Sequence, residues 1–375
     1  MVYKKKKVLF ITSGMSMGGI ERVLTTCVNK LSKRYTIYVF CLEKTDLFYK
    51  LNQDITILYA SKLFAPTLKI ARFIHNGLKK YFNVNMKLSM WASIIKKRID
   101  KEHFDTVVYL PSTFFMFPSL IKNKNNKKNI IWTHNNYKVY IDDYYKYLKG
   151  ELIESLKISD IVVTLTEEDK EGFFSYSNTK NIVKINNPLT IVNTGKNSNL
   201  QNRIISITCR YAIKHKGLDF IMQIAKNIPE NWKIAIAGTG SKSEVNELKK
   251  LISSYNLTKK IILRGALNGE DLRKHYRESS LYIMTSRWEG FGLVLTEAMS
   301  FGLPVIAFEN SGSNEVLDNG KYGILVEQGN VEKFSRELNH MISDYELRKE
   351  YSKKSLERVK DFQIDNIVEQ WEKII

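Results

Sequence analysis

Ser286-Arg287-Trp288-Glu289-Gly290-Phe291-Gly292-Leu293-Val294-Leu295-Thr296-Glu297-Ala298-Met299 is the stretch from which the rest of this chain can be read. Just before it, Leu281-Tyr282-Ile283-Met284 is an apolar run of buried-strand length. After Gly292 the residues favour helix, and Gly302 with Pro304 ends it. The order is strand, glycine-bearing loop, helix. Such a loop presents backbone N–H groups at a helix N-terminus, where the dipole favours an anion such as phosphate. Glu289 stands at the loop's mouth, and Glu297 falls about a turn into the helix, where its carboxylate can look back over the same crevice. One acid beside a phosphate site and a second further in suit a ligand that carries both phosphate and hydroxyls.

Composition limits what surrounds this stretch. At 375 residues with 43% hydrophobic content, two packed domains are expected. Cys27, Cys41 and Cys209 are odd in number and widely spaced, which fits neither a disulfide framework nor a zinc site and points to a reducing cytosol. Lys4 to Lys7 followed by Val8-Leu9-Phe10-Ile11 reads as a first strand rather than a signal peptide, because the apolar run is short and meets Gly14 and Gly18 without a cleavage pattern. No stretch approaches the length of a membrane-spanning helix. The net charge of +19 is uneven: residues 1–187 hold 31 Lys and Arg against 16 Asp and Glu. The densest part lies between Lys62 and Lys101, with ten Lys or Arg and one acid, Asp100, among aromatic residues such as Phe73, Phe82 and Trp91. Basic helices with an aromatic face lie well on anionic lipid. The aromatic residues stand at helical spacings with no recognition module, so nucleic acid is not the expected partner.

Strand and helix signals alternate along the whole chain. After the first strand, Gly18-Gly19 opens a helix at Ile20-Glu21-Arg22, a turn that lets backbone approach a ligand, although no Gly-Lys-Ser/Thr follows to make it a P-loop. Asn129-Ile130-Ile131-Trp132 is a strand that ends at His134, in the position where open α/β sheets line their ligand crevice. A polar stretch from Asn186 to Asn202 reads as a linker. Alternation restarts at Ile204 to Cys209 and leads to Arg210 and Lys216 around a strand-to-helix junction, two cations able to clamp a diphosphate. Trp232 to Ala237 ends at Gly238-Thr239-Gly240. As a dinucleotide fingerprint this turn fails, because Ser243 takes the third glycine position.

Together Gly-Gly-x-Glu-Arg at Gly18 to Arg22, Arg210 with Lys216-Gly217, Ala237-Gly238-x-Gly240, and Glu289-x7-Glu297 followed by Gly302-Leu303-Pro304 resemble the family 4 retaining glycosyltransferases of the GT-B fold. Cys209 departs from the glycine that family usually places before its arginine. The resemblance covers nearly the whole chain. It implies two Rossmann-like, doubly wound α/β domains facing a central cleft: residues 1–187 on the acceptor side, 188–355 binding the nucleotide-sugar, and a C-terminal helix in 356–375 crossing back to the first domain. It also implies the roles of the site residues. Gly18 and Gly19 would face the donor phosphates, and Arg210 and Lys216 would grip them. Gly238 and Leu267 would edge the base pocket. Glu297 would hold the ribose, and Glu289 with the N–H groups of Phe291 and Gly292 the donor sugar, with His134 facing that sugar, while the donor-binding helix that begins near Leu293 would supply positive potential. The activity implied is transfer of a hexose or N-acetylhexosamine from a UDP-sugar to a lipid-linked oligosaccharide in capsule, exopolysaccharide or O-antigen assembly, by an enzyme peripheral on the inner face of the cell membrane. No Asp-x-Asp metal motif is present, so neither a metal nor another cofactor is expected. A nucleotide-sugar 2-epimerase on the same architecture is the alternative. A two-carboxylate hydrolase does not fit, because both acids belong to a phosphate loop.

Overall fold

The computed structural model describes residues 5–60, 102–111, 128–193 and 195–375. The basic segment from Lys62 to Lys101 therefore lies outside the described residues, and with it the expected lipid-facing helices. Two compact units are present, Met1–Pro188 with Ile364–Ile375, and Leu189–Gln363.

The first unit holds a seven-stranded sheet in the order β3-β2-β1-β4-β5-β6-β7, every pair parallel. Its strands are β1 Lys7–Thr12, β2 Thr36–Cys41, β3 Thr56–Tyr59, β4 Thr106–Tyr109, β5 Lys128–Trp132, β6 Ile161–Thr164 and β7 Ile182–Lys184. Continuous apolar runs such as Val8 to Ile11, all fully buried, suit a parallel sheet covered on both faces. Helix α1, Gly19–Leu31, turns Val23, Leu24, Cys27, Val28 and Leu31 inward at helical spacing. The C-terminal helix Ile364–Ile374 packs in this unit, where Trp371 meets Trp132 edge to face with ring centroids 4.6 Å apart. The segment grouped with the first unit begins at Ile364 rather than at 356. Residues 356–363 finish the helix Tyr345–Arg358 and a tight turn, Val359–Phe362, in the second unit.

The second unit repeats the design with β8 Ile204–Thr208, β9 Lys233–Ala237, β10 Ile261–Gly265, β11 Leu281–Met284, β12 Val305–Phe308 and β13 Ile324–Val326. They lie parallel in the order β10-β9-β8-β11-β12-β13. The chain winds one way from β8 to β10 and the other way from β11 to β13. Ligands of open α/β sheets bind beyond the carboxyl ends of strands at such a reversal. Here that point lies between β8 and β11, whose following loops carry Arg210 to Lys216 and Thr285 to Gly292. The stretch expected as a linker is an arm laid on the second unit. Leu189 N–H donates to the Phe362 carbonyl, Asn193 to the Ser300 carbonyl, and Ser198 N–H to the Phe301 carbonyl.

Candidate active site

The two loops at the reversal meet through an ion pair. Lys216 closes the short turn Ile213–Lys216, ahead of helix Leu218–Lys226, and its Nζ lies 2.6 Å from Oε1 of Glu289. Both side chains are largely enclosed, at 16% and 14% exposure. Burial pushes the Glu289 carboxyl upward. The charge and hydrogen bond of Lys216, the Ser286 hydroxyl and the nearby His215 outweigh that, and the group sits below the usual carboxylate range. Glu289 is thus an anion fixed against a cation, in the loop that leads into a helix.

That helix, Leu293–Ser300, begins at Gly292, whose φ of +84° only glycine adopts without strain. Its first turn holds no acid, so nothing competes for the positive end of the dipole. Phe291 is buried edge-on against Phe362. Beneath the loop lies helix Ser311–Val316. Ser311 donates to the Glu289 carbonyl at 3.1 Å and Asn310 to the Ser286 carbonyl at 3.3 Å. Gly312 sits so close that a Cβ there would come within 2.8 Å of the Phe291 carbonyl carbon and oxygen.

Arg210 follows β8, is 69% exposed, and reaches Glu244 with Nη2 at 3.0 Å. Glu244 in turn completes a capping box with Ser241 at the start of helix Lys242–Ser254. Gly238, at φ +147°, ends β9 so tightly against this strand end that a Cβ would lie 1.7 Å from the Cys209 carbonyl oxygen. That close approach keeps the Cys209–Arg210 backbone where it is. Leu267 is half-buried between β10 and helix Gly269–Arg277 at the same sheet edge.

Glu297 faces inward rather than over open space. It is fully buried, its Oε2 accepting from the Tyr276 hydroxyl at 2.9 Å and its Oε1 from the Thr190 hydroxyl at 3.1 Å. The second carboxylate of the motif is thereby held by a strand-flanking helix and by the arm at the start of this unit. Neither partner has a local sequence signal.

Three expected residues belong to the first unit. Gly18 is the N-cap of α1 with an extended φ of −172°, and a Cβ there would meet only the movable carboxylate of Glu21. Gly19 opens the helix. His134 lies just past β5, its backbone N–H donating to the Tyr140 hydroxyl at 3.0 Å and its ring against Trp132 at 4.4 Å. Nε2 is enclosed without a hydrogen-bond partner although the residue as a whole is half-buried. Burial lowers the imidazole to about 3, so it is neutral.

Sequence reasoning missed the braces of this site. His215 stacks flat on Trp288, with centroids 4.3 Å apart and 8° between planes, and its Nε2 lies 3.0 Å from the Trp288 carbonyl oxygen. Arg287 forks onto Asp219 at 2.9 and 2.7 Å and lies over the Phe220 ring. A Gly-Ser-Asn cluster just past the end of β12 was the available signal for the Asn310 to Gly312 buttress.

Residues 193–358 match the family model described as Glycosyl transferases group 1. The chain also has glycosyltransferase homologues along its whole length. An uncharacterized glycosyltransferase of Haemophilus influenzae is 29% identical, covering 99% of this chain and 100% of the relative. A Campylobacter jejuni N-acetyl-D-galactosaminyltransferase, named for a GalNAc-containing PP-undecaprenol acceptor, is 24% identical over 98% of both chains. Among solved structures, Anabaena HepE in complex with UDP and glucose superposes with a TM-score of 0.76 at 16% identity, covering 98% of this chain and 99% of that one. The fold is GT-B. The Lys216–Glu289 pair and the Gly292 helix start both lie inside the matched glycosyl transferases group 1 span.

Proposed function

We propose that this chain is a retaining, family 4 glycosyltransferase of polysaccharide or lipid-linked sugar synthesis. It takes a hexose or N-acetylhexosamine from a UDP-sugar and passes it to a hydroxyl of a lipid-linked oligosaccharide. The observation that carries this reading is the enclosed Lys216–Glu289 pair at the strand-order reversal, beside a glycine-started helix without acids in its first turn. The names of the C. jejuni relative and of the HepE complex support the acceptor and the donor respectively.

The reaction breaks the bond between the anomeric carbon and the diphosphate oxygen and forms one to the acceptor oxygen on the same face. The acceptor's proton leaves with the departing phosphate oxygen. Charge builds on that oxygen, so fixed positive groups lower the barrier most. Lys216, Arg210 and the first turn of the Gly292 helix take this role. Glu289, anionic and aimed by Lys216, orients a donor-sugar hydroxyl with the backbone of Phe291, Gly292 and Leu293. Glu297 takes the ribose hydroxyls, which exchange for Thr190 at Oε1. Gly238 and Leu267 border the base. Gly18 and Gly19 approach the phosphates, and neutral His134 accepts from or donates to the sugar. No divalent ion is needed to hold the diphosphate, so chelator should leave turnover intact.

No helix among the described residues is long and apolar enough to cross a membrane. We place the enzyme in the cytoplasm, peripheral on the inner membrane face, through the basic segment 62–101. A panel of radiolabelled UDP- and GDP-sugars, with and without lipid extract, tests the activity. Donor consumption that lipid extract stimulates supports it, and an inert panel contradicts it.

A further inference from the structure

Glu297 is fully buried in helix Leu293–Ser300. A carboxylate kept out of water is costly unless donors meet its oxygens. Here a hydroxyl meets each of them. Tyr276 donates to Oε2 at 2.9 Å and Thr190 to Oε1 at 3.1 Å. A ribose cannot reach a group without exposed surface, so part of this cover must give way before a nucleotide is held there.

The two donors differ in how readily they can leave. Tyr276 is a core side chain, fully buried, stacked on Phe301 at 5.4 Å and tilted against Tyr282 at 6.1 Å. Moving its hydroxyl would break close packing that resists displacement. Thr190 is half-buried in a segment that is neither helix nor strand. Leu189 N–H holds this segment to the Phe362 carbonyl at 2.7 Å, and Arg273 Nε reaches the Val192 carbonyl at 3.3 Å in an exposed contact. Val192 itself is 66% exposed. Irregular surface segments open more readily than packed helices. A threonine also needs only a change of rotamer to withdraw its hydroxyl.

The groups that would change places are chemically alike. Thr190 offers Oε1 an O–H donor, as a ribose hydroxyl does, so the carboxylate keeps a partner in either state. The bond that the ribose gains is then offset by the bond that Thr190 gives up. A threonine hydroxyl at Oε1 therefore weakens the hold on the nucleotide. UDP is the product that a transferase using UDP-sugars has to release.

We infer that Thr190 stands in for a ribose hydroxyl in the empty enzyme. It is a positioning residue that keeps Glu297 satisfied and sets how tightly, and how selectively over a deoxyribose, a nucleoside diphosphate is held. The inference rests on the ribose role given to Glu297 above. Calorimetric titration of the full chain with UDP and with 2′,3′-dideoxy-UDP tests it. Wild type should favour UDP. Thr190→Val, close to threonine in volume, removes the donor from Oε1 in the empty enzyme. UDP should then bind several-fold tighter, up to about tenfold, while dideoxy-UDP should bind as before. Thr190→Ser keeps a hydroxyl and should match wild type. The thermal midpoint shows whether each variant is folded, and Thr190→Ala gives the same reading where the valine variant is not. A wild type that favours UDP, with a folded Thr190→Val that binds UDP no tighter, overturns the inference and leaves the ribose role of Glu297 standing. Equal tightening of both ligands overturns it too, because the gain would not come from the ribose hydroxyls. A wild type that binds both ligands alike overturns the ribose role itself, and the exchange falls with it.

Discussion

Lys216 serves two physical purposes at once, and they can be separated by mutation. It neutralises Glu289 inside the protein, and it offers charge to a diphosphate. Lys216→Ala leaves an enclosed carboxylate unpaired and should cost up to about 3 kcal/mol of stability. Adding Glu289→Ala should return much of that loss without restoring UDP binding, because the diphosphate still lacks its cation. A denaturation series with calorimetric UDP titration reads both effects, and a double variant no more stable than the single would refute the pairing. Arg210 is different. It is well exposed, so its contact with Glu244 is worth less than about 1 kcal/mol. Arg210→Ala should nevertheless lose a charge-assisted contact of about 1.5–3 kcal/mol with UDP.

Two buried imidazoles add a pH dependence. Burial lowers His134 to about 3, and burial with the Arg264 charge does the same for His275. In the unfolded chain both titrate near 6.5, as free histidine does. Between those limits the unfolded state binds more protons, so stability is full above pH 6.5 and falls as pH drops. The depressed Glu289 acts with the same sign lower down, its contribution being lost as pH falls below the ordinary carboxylate range. Denaturant midpoints at pH 7.5 and pH 5 should differ clearly, and His134→Phe should narrow the gap. Equal midpoints would show that these rings are not buried neutral.

At the scale of elements, the site is a set of loops held by neighbours distant in sequence. The strand–glycine–helix order at Leu281 to Ser300 was legible because strand runs, Gly292 and helix-favouring residues are all local signals. Arg210 and Lys216 were legible as cations at a strand-to-helix junction, but the pairing of Lys216 with Glu289 was not, since the two lie 73 positions apart. The Gly-Ser-Asn cluster at Asn310 to Gly312 was a local mark of a turn but not of the loop it braces, and the burial of Glu297 by Tyr276 and Thr190 had no local mark, because each is a tertiary contact. The buttress yields its own test. Gly312→Ala must push the Phe291 backbone by several tenths of an ångström, because its Cβ would stand 2.8 Å away. Turnover should fall more than thermal stability, since the displaced loop carries Glu289 and the helix start. A variant with normal kcat would show that the loop tolerates the shift.

Across the whole molecule, two doubly wound sheets were foreseeable from alternating strand and helix signals, while the point at which the terminal segment leaves the second unit was not. That segment is structural in the first unit. Trp371 is 1% exposed against Trp132, and Trp371→Ala should cost roughly 3–5 kcal/mol, the usual loss for a buried aromatic. Unfolding followed by tryptophan fluorescence should show the loss, and an unchanged midpoint would mean the helix is dispensable.

The most direct measurement is NMR of a UDP-sugar incubated with the wild-type chain and with Glu289→Gln in parallel. Wild type should release UDP and give a first-formed product with the donor's anomeric configuration, and Glu289→Gln should slow that release far more than it weakens UDP binding. An inverted anomer, or a sugar altered at C2 and still attached to nucleotide, would contradict retaining transfer at this site.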